Sequence, residues 1–152
     1  MNYNKDNGLL NIIRRTDPMI ILYWSLYLGC VFLYLFSCFL PCFSTEHEST
    51  IGYYCLLGGW SFLLIDFWMF MIWCSNALLF CSLIMTGFNN PRSIWFSLFS
   101  FILSISMIFH RYIIYDIVVP IISFHTGYYL WCSSHLFLLL ACIVKVYSRG
   151  RV

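Results

Sequence analysis

At 152 residues the chain is sized for one domain; 62% of it is hydrophobic, 21% aromatic and only 9% charged, where soluble domains carry roughly a quarter charged residues. That composition excludes an ordinary water-soluble fold and points to an integral membrane protein. A net charge of +2, with cations beside apolar segments and not in a stripe, excludes a nucleic-acid partner.

No Pro/Gly/Ser-rich linker, low-complexity tract or internal repeat divides the sequence, so a single transmembrane domain over 1–152 is expected. Met1 to Asp17 opens polar and then sets Leu9, Leu10, Ile12 and Ile13 beside Arg14 and Arg15. Residues 8–15 thus read as a short helix on an anionic membrane surface. Asp17 then Pro18 starts span one, 19–40: the carboxylate caps free amide donors and proline suits the first helical turn. At about 1.5 Å per residue this stretch just crosses a hydrocarbon core of about 30 Å. A cleaved signal peptide is the rival reading, but its apolar core is only about 7 to 15 residues long. Leu35-Phe36-Ser37-Cys38 resembles a bacterial lipoprotein cleavage box only faintly, because Phe36 is bulky, so an uncleaved anchor is expected.

Pro41 to Thr50, with its polar run Glu46-His47-Glu48-Ser49-Thr50, reads as a loop. From Ile51 to Met85 the chain is apolar for longer than one span needs, giving either two tight spans or a surface-lying segment that leads into one. Charge decides between them. With one span the chain crosses four times and both ends are cytoplasmic, which puts Lys5, Arg14, Arg15, Arg92, Lys145, Arg149 and Arg151 inside and Arg111 outside. With two spans the 8 cations divide evenly, so the positive-inside rule favours four crossings. Span two is set at 67–85, after an outer-surface segment, 52–66, carrying Gly58, Gly59 and the interface-seeking Trp60.

Gly87, Asn89, Asn90 and Pro91 form an inner turn, and Asn90-Pro91 repeats the cap-then-proline start. Span three, 93–109, is short, which calls for local thinning or a low tilt. The outer connection from His110 to His125 holds Ile113, Ile114, Ile117, Val118, Val119, Ile121 and Ile122. It is too apolar for a free loop, so 111–124 should lie on or dip into the membrane, bent near Pro120. Span four, 127–147, enters through Tyr128, Tyr129 and Trp131 as an aromatic belt and closes at Lys145, Arg149 and Arg151. The expected architecture is an all-α membrane protein: a four-transmembrane-helix bundle with two outer interfacial segments and both termini cytoplasmic.

Ser93, Ser97, Ser100 and Ser104 fall on one face of span three. Small polar residues let helix backbones approach in lipid, so this face is read as packed against a neighbour; a hydrophilic pore lining is the functional alternative. Ser25 with Gly29, and Gly127, Ser134 and Ala141, form smaller versions on spans one and four. Asn76 and His135 sit at one depth near the middle of spans two and four, where polar groups turn to protein or water. They are expected to face the interior, with a hydrogen bond between them the further expectation. Helix-to-helix adhesion is the simpler role for the pair, and a proton-handling or ligand site on His135 the sharper one. On the outer side Asp66, His110, Arg111, Asp116 and His125 form a polar cluster in which Asp66, Arg111 and Asp116 read as wet interfacial residues. No spacing such as His-x-x-x-His joins them, so no metal is expected. Among 8 cysteines, Cys30, Cys38, Cys74, Cys81, Cys132 and Cys142 lie in apolar runs, where Cys packs as a small hydrophobe. Cys42 and Cys55 are loop-borne and form the candidate disulfide if the outside is oxidising.

Gly59-Trp60 before span two, Trp73-x-x-Asn76 within it and Gly127-Tyr128-Tyr129-Leu130-Trp131 opening span four follow an aromatic-rich first span. This order resembles a group of small, uncharacterised bacterial four-helix inner-membrane proteins. The motifs cover a minority of the chain, and Ala77 stands where that group has proline. The resemblance implies a bacterial inner-membrane protein and supplies no activity.

Serine nucleophile elbow, zincin helix, P-loop, Cys-x-x-Cys and dinucleotide loop are all absent from the sequence, and no aspartate pair lies within the spans. An enzyme is therefore not expected, and no cofactor. With little soluble mass, the chain is expected to act by binding another membrane protein, itself or a membrane-targeted toxin through its spans and outer cap, as an accessory or immunity-type protein in the lipid bilayer. An oligomeric transporter or channel subunit is the alternative, marked by a continuous polar path through Asn76, His135 and the span-three serines. A membrane-embedded enzyme using His135 or the outer histidines is the third, marked by convergent His/Asp geometry.

Overall fold

The computed structural model describes residues 18–46, 48–114 and 118–149. The surface helix read over 8–15, the Asp17 cap, His47 and Asp116 lie outside the described residues. Among the described residues there are five α-helices: α1 (Pro18–Phe39), the short α2 (Gly52–Gly58), α3 (Phe67–Gly87), α4 (Ser93–Ser106) and α5 (Thr126–Arg149). Pro18–Phe39, Phe67–Gly87 and Thr126–Ser148 are long and apolar enough to cross a membrane, and Ser93–Phe109 is a shorter apolar helix. The exposed surface is the apolar one. Phe32, Phe36, Phe39, Trp95 and Phe99 project outward while serines fill the interior, an arrangement that lipid tolerates and water does not.

Each long helix buries one stripe. On α1 the stripe is Tyr23, Cys30, Tyr34 and Ser37; on α3 it is Met69, Ile72, Ser75, Asn76, Leu79, Ser82 and Thr86. These steps of three and four are the helical period. α1 packs along α5, α5 packs on α4 and α4 on α3, and the Tyr27 hydroxyl, donating to Leu83 O at 3.4 Å, helps close the ring back to α1. Gly29 lets α1 approach α5 closely, since a Cβ there would lie 2.8 Å from Phe137 Cδ1. Ser25, by contrast, is exposed, because the buried stripe of α1 runs through Tyr23 and Cys30.

Polar contacts fasten both ends of this helical layer. At one end the Lys145 ammonium donates to Thr86 O and to Tyr23 Oη (3.2 Å), and it stands 4.6 Å over the Tyr23 ring. Between α3 and α4 the chain turns through Asn89 at φ 60, a left-handed conformation Asn tolerates, and Asn90 Oδ1 accepts from Arg92 N at 3.0 Å.

The opposite end is capped, and here two expectations change. Pro41 to Thr50 is not a loop but an antiparallel hairpin of β1 (Pro41–Ser44) and β2 (Ser49–Ile51), and β5 (Ser123–Phe124) joins it in the order β2-β1-β5. Within the 111–124 segment, β3 (Tyr112–Ile114) pairs with β4 (Val118–Pro120). The fold is thus mainly but not wholly helical. Strand pairing gives the backbone groups of both segments partners in each other. Phe43 pairs with Phe124, and Ser44 Oγ and Ser123 Oγ lie 2.8 Å apart. Gly127 is required where α5 starts beneath this sheet, because a Cβ would come within 2.6 Å of Pro41 O.

Asp66 differs from expectation too. It is 5% exposed, not wet: Oδ1 accepts from Trp68 N and Met69 N, both at 3.1 Å, capping α3, and Oδ2 lies 3.1 Å from His110 Nε2. Carboxylate capping of free helical amides compensates the burial. Replacing Asp66 by Ala should cost about 1 to 2 kcal/mol of stability, the usual value of a helix cap. Asp66→Asn, which keeps an accepting oxygen, should cost clearly less, and equal losses in denaturant titrations in detergent would show that the cap is not what stabilises this end.

Candidate intramembrane cavity and its polar floor

Three helices meet at Asn76. The residue is 7% exposed, and its Oδ1 accepts from Tyr34 Oη of α1 at 3.1 Å and from Trp131 Nε1 of α5 at 2.8 Å. An indole nitrogen only donates, so the atom it faces must be the amide oxygen, which settles the orientation of the side chain. Both lone pairs of Oδ1 are then in use. Nδ2 has no hydrogen-bond partner among the described residues, and Asn76 lines a cavity of about 180 Å³.

His135 lies deeper and is sealed. It is 1% exposed, and its Nδ1 sits 2.8 Å from Trp131 O and 3.3 Å from Ser134 Oγ. A carbonyl only accepts, so Nδ1 carries the proton and Nε2, buried without a partner among the described residues, is the bare nitrogen. No bond joins Asn76 to His135. Trp131 stands between them, holding Asn76 through its indole and His135 through its carbonyl, and its ring meets the imidazole edge-on at 4.9 Å.

The four serines of α4 are all buried. Ser100 Oγ donates to Ser75 O at 2.7 Å, and Ser82 Oγ on α3 reaches Ser93 O at 2.9 Å, so the α3–α4 seam is bonded in both directions. Ser97 and Ser104 turn back to carbonyls of their own helix, Ile94 O and Phe101 O, while Ser104 O accepts from Tyr128 Oη. Such hydroxyls are spent inside the protein. Leu79, Leu138 and Cys142, each 0 to 1% exposed, close the interior on the far side of His135.

The cavity therefore is blind. Asn76 and Trp131 form its floor; Tyr34, Ile72, Trp73 and Tyr128 contribute to its wall, and Tyr54, Gly58 and Ser61, all exposed, border its mouth. α2 and the 3-10 turn Gly59–Leu64 cover it like a flap, held by Trp73 Nε1 donating to Leu56 O at 2.8 Å. Gly59 is the residue that permits this contact, because any Cβ there would overlap the Trp73 indole.

Cys42 and Cys55 are both thiols and both line the cavity with Cys38. The Cys55 thiol donates toward the Cys42 sulfur, which holds the Cys42 thiol below its ordinary value and, together with burial, pushes Cys55 up. Among the described residues of the outer polar cluster, the structure brings together Asp66 and His110. Arg111 is exposed; His125 Nε2 lies 3.4 Å from Ser123 Oγ, and its backbone N–H, donating to Cys42 O at 2.8 Å, holds it in the sheet rim. Among the described residues no three His, Cys, Asp or Glu side chains converge as metal ligands.

Tyr34 and Trp131 as partners of Asn76, and the cavity itself, were not foreseen from the sequence. A signal existed for Tyr34: Tyr23, Tyr27, Cys30 and Tyr34 repeat at steps of four, three and four, an aromatic stripe with polar tips. Comparison with protein-family models, with curated proteins and with solved structures finds no match to this chain.

As pH rises, N-ethylmaleimide should modify Cys42 before Cys55, because only the thiolate is the nucleophile. In Cys55→Ala the onset at Cys42 should move to higher pH as the donated hydrogen bond is lost. Peptide-resolved mass spectrometry reads both, and prior reaction at Cys55 would refute the assignment of donor and acceptor.

Proposed function

We propose that the chain is a four-helix transmembrane protein of a bacterial inner membrane, both termini cytoplasmic, that acts by binding another membrane protein or a membrane-targeted toxin. The cytoplasmic side is then the Lys145 and Arg92 end, and the strand-bearing cap faces out, which agrees with cations gathering on the inner leaflet.

One observation carries the binding reading: the interior polar groups end in a blind cavity and do not form a path. Ser97, Ser100 and Ser104 of span three bond to backbone carbonyls, and apolar side chains close the core beyond His135. That arrangement is poorly suited to a hydrophilic pore, which needs polar groups facing a continuous lumen. The cap, in contrast, offers recognition surface. Leu57, Trp60, Leu63 and Leu64, with Leu64 92% exposed, stand out from α2 and its 3-10 extension, a segment tied to α3 by the hydrogen bond from Trp73 to Leu56 O. Large aromatic and aliphatic side chains are the residue types that dominate contact energy between proteins.

The test is capture from native membranes in mild detergent, with the protein carrying a photo-crosslinking residue at position 64. One membrane protein should crosslink stoichiometrically, and Trp60→Ala should weaken its recovery at least tenfold while the helices stay folded. Ion or solute flux through liposomes holding the protein alone would instead support the channel reading and remove this one. Reporter fusions at the two ends should both report cytoplasm.

A further inference from the structure

The blind cavity makes a demand the protein does not meet. Asn76 is more than nine-tenths buried, its oxygen is committed twice, and its amide nitrogen carries two N–H groups with no acceptor among the described residues. A donor left unbonded in apolar surroundings is unfavourable, and native interiors rarely keep one without a ligand or water to meet it. Asn76 cannot relieve this by rotating. Exchanging oxygen and nitrogen would set an N–H against the Trp131 indole N–H.

Three properties of the cavity define what fits. Its size, about 180 Å³, is that of a single ring, since an apolar cavity of roughly 150 Å³ holds one benzene. No charged side chain lines it, so the occupant is neutral. Its wall is largely aromatic and aliphatic, so apart from one acceptor the occupant is apolar.

We propose that this cavity is a binding site for a neutral, ring-sized apolar group bearing a carbonyl-type acceptor, which Asn76 Nδ2 receives at the floor while Trp73 and Trp131 flank the ring. The group enters past Tyr54 and Ser61, either as a free small molecule or as the end of a lipid, and the two sources share this chemistry. The site does not depend on the protein partner proposed above, so failure to find that partner leaves the cavity test untouched.

The experiment uses the full chain in detergent and two probes of one shape: cyclohexanone, and methylenecyclohexane, which replaces C=O by C=CH₂. The readout is the rate at which N-ethylmaleimide alkylates Cys42 in the cavity wall, with micellar probe concentrations matched. Cyclohexanone should slow alkylation at least fivefold more than methylenecyclohexane. Asn76→Leu, close in size, removes the amide donor, and should abolish the preference. Because that variant can disturb the helix junction, Cys55→Phe serves as the second: it fills the cavity, leaves Asn76 untouched, and should end the protection of Cys42. Equal protection by both probes, no protection by either, or a preference that survives in Asn76→Leu would overturn the proposal. Mass spectrometry of an organic extract distinguishes the sources: a neutral carbonyl lipid stoichiometric with wild type and lost from Cys55→Phe identifies the lipid, and an extract without one, alongside the cyclohexanone preference, identifies a free molecule.

Discussion

The oxygen of Asn76 is shared by donors from two other helices, and much of the architecture follows from that sharing. Tyr34 on α1 and Trp131 on α5 reach the same atom on α3, so the relative heights and rotations of three helices are set at one point. In lipid the hydrophobic effect does not press helices together, and individual interhelical hydrogen bonds are worth about 0.6 kcal/mol on average. Such a contact acts as a register device more than as a source of stability. What surrounds it does the packing: small side chains at Gly29, Ser134 and Ala141 bring α1 and α5 close, and serine hydroxyls bind α3 to α4 through carbonyls.

This register leaves a cavity. With Trp131 drawn toward Asn76 and Trp73 drawn toward Leu56 O, two indoles open the space between α1, α3 and α5 on the capped side. Gly59 lets the flap settle on Trp73. Below, His135 turns its protonated nitrogen to the Trp131 carbonyl, so the indole residue is anchored at both ends. The cap is independently fixed by Asp66, which binds two amides of α3 and the imidazole of His110. A hydrogen-bonded floor, a tethered flap and an apolar wall are the ingredients of a preformed binding site.

Much of this was open to reading in the one-dimensional pattern. Long apolar stretches mark the helices, because a bilayer's thickness sets how many residues they need. The serine face of α4 and the inward face holding Asn76 and His135 follow from helical period and the cost of a polar group in hydrocarbon. Asp66 is ambiguous in sequence, because a carboxylate at a span's edge reads equally as wetted or capping, and only its burial and its amide partners separate the two.

By itself the sequence determined which segments are helical and which of their faces are polar, since both depend on neighbours three or four residues away. Tertiary structure alone decided the rest. Phe43 meets Phe124, Tyr34 meets Asn76 and Trp131 separates Asn76 from His135, across gaps that helical periodicity does not span. The strands at the cap formed for the same reason: backbone groups at the rim bond to whatever distant segment the packed helices bring within reach, and no local pattern records which segment that is.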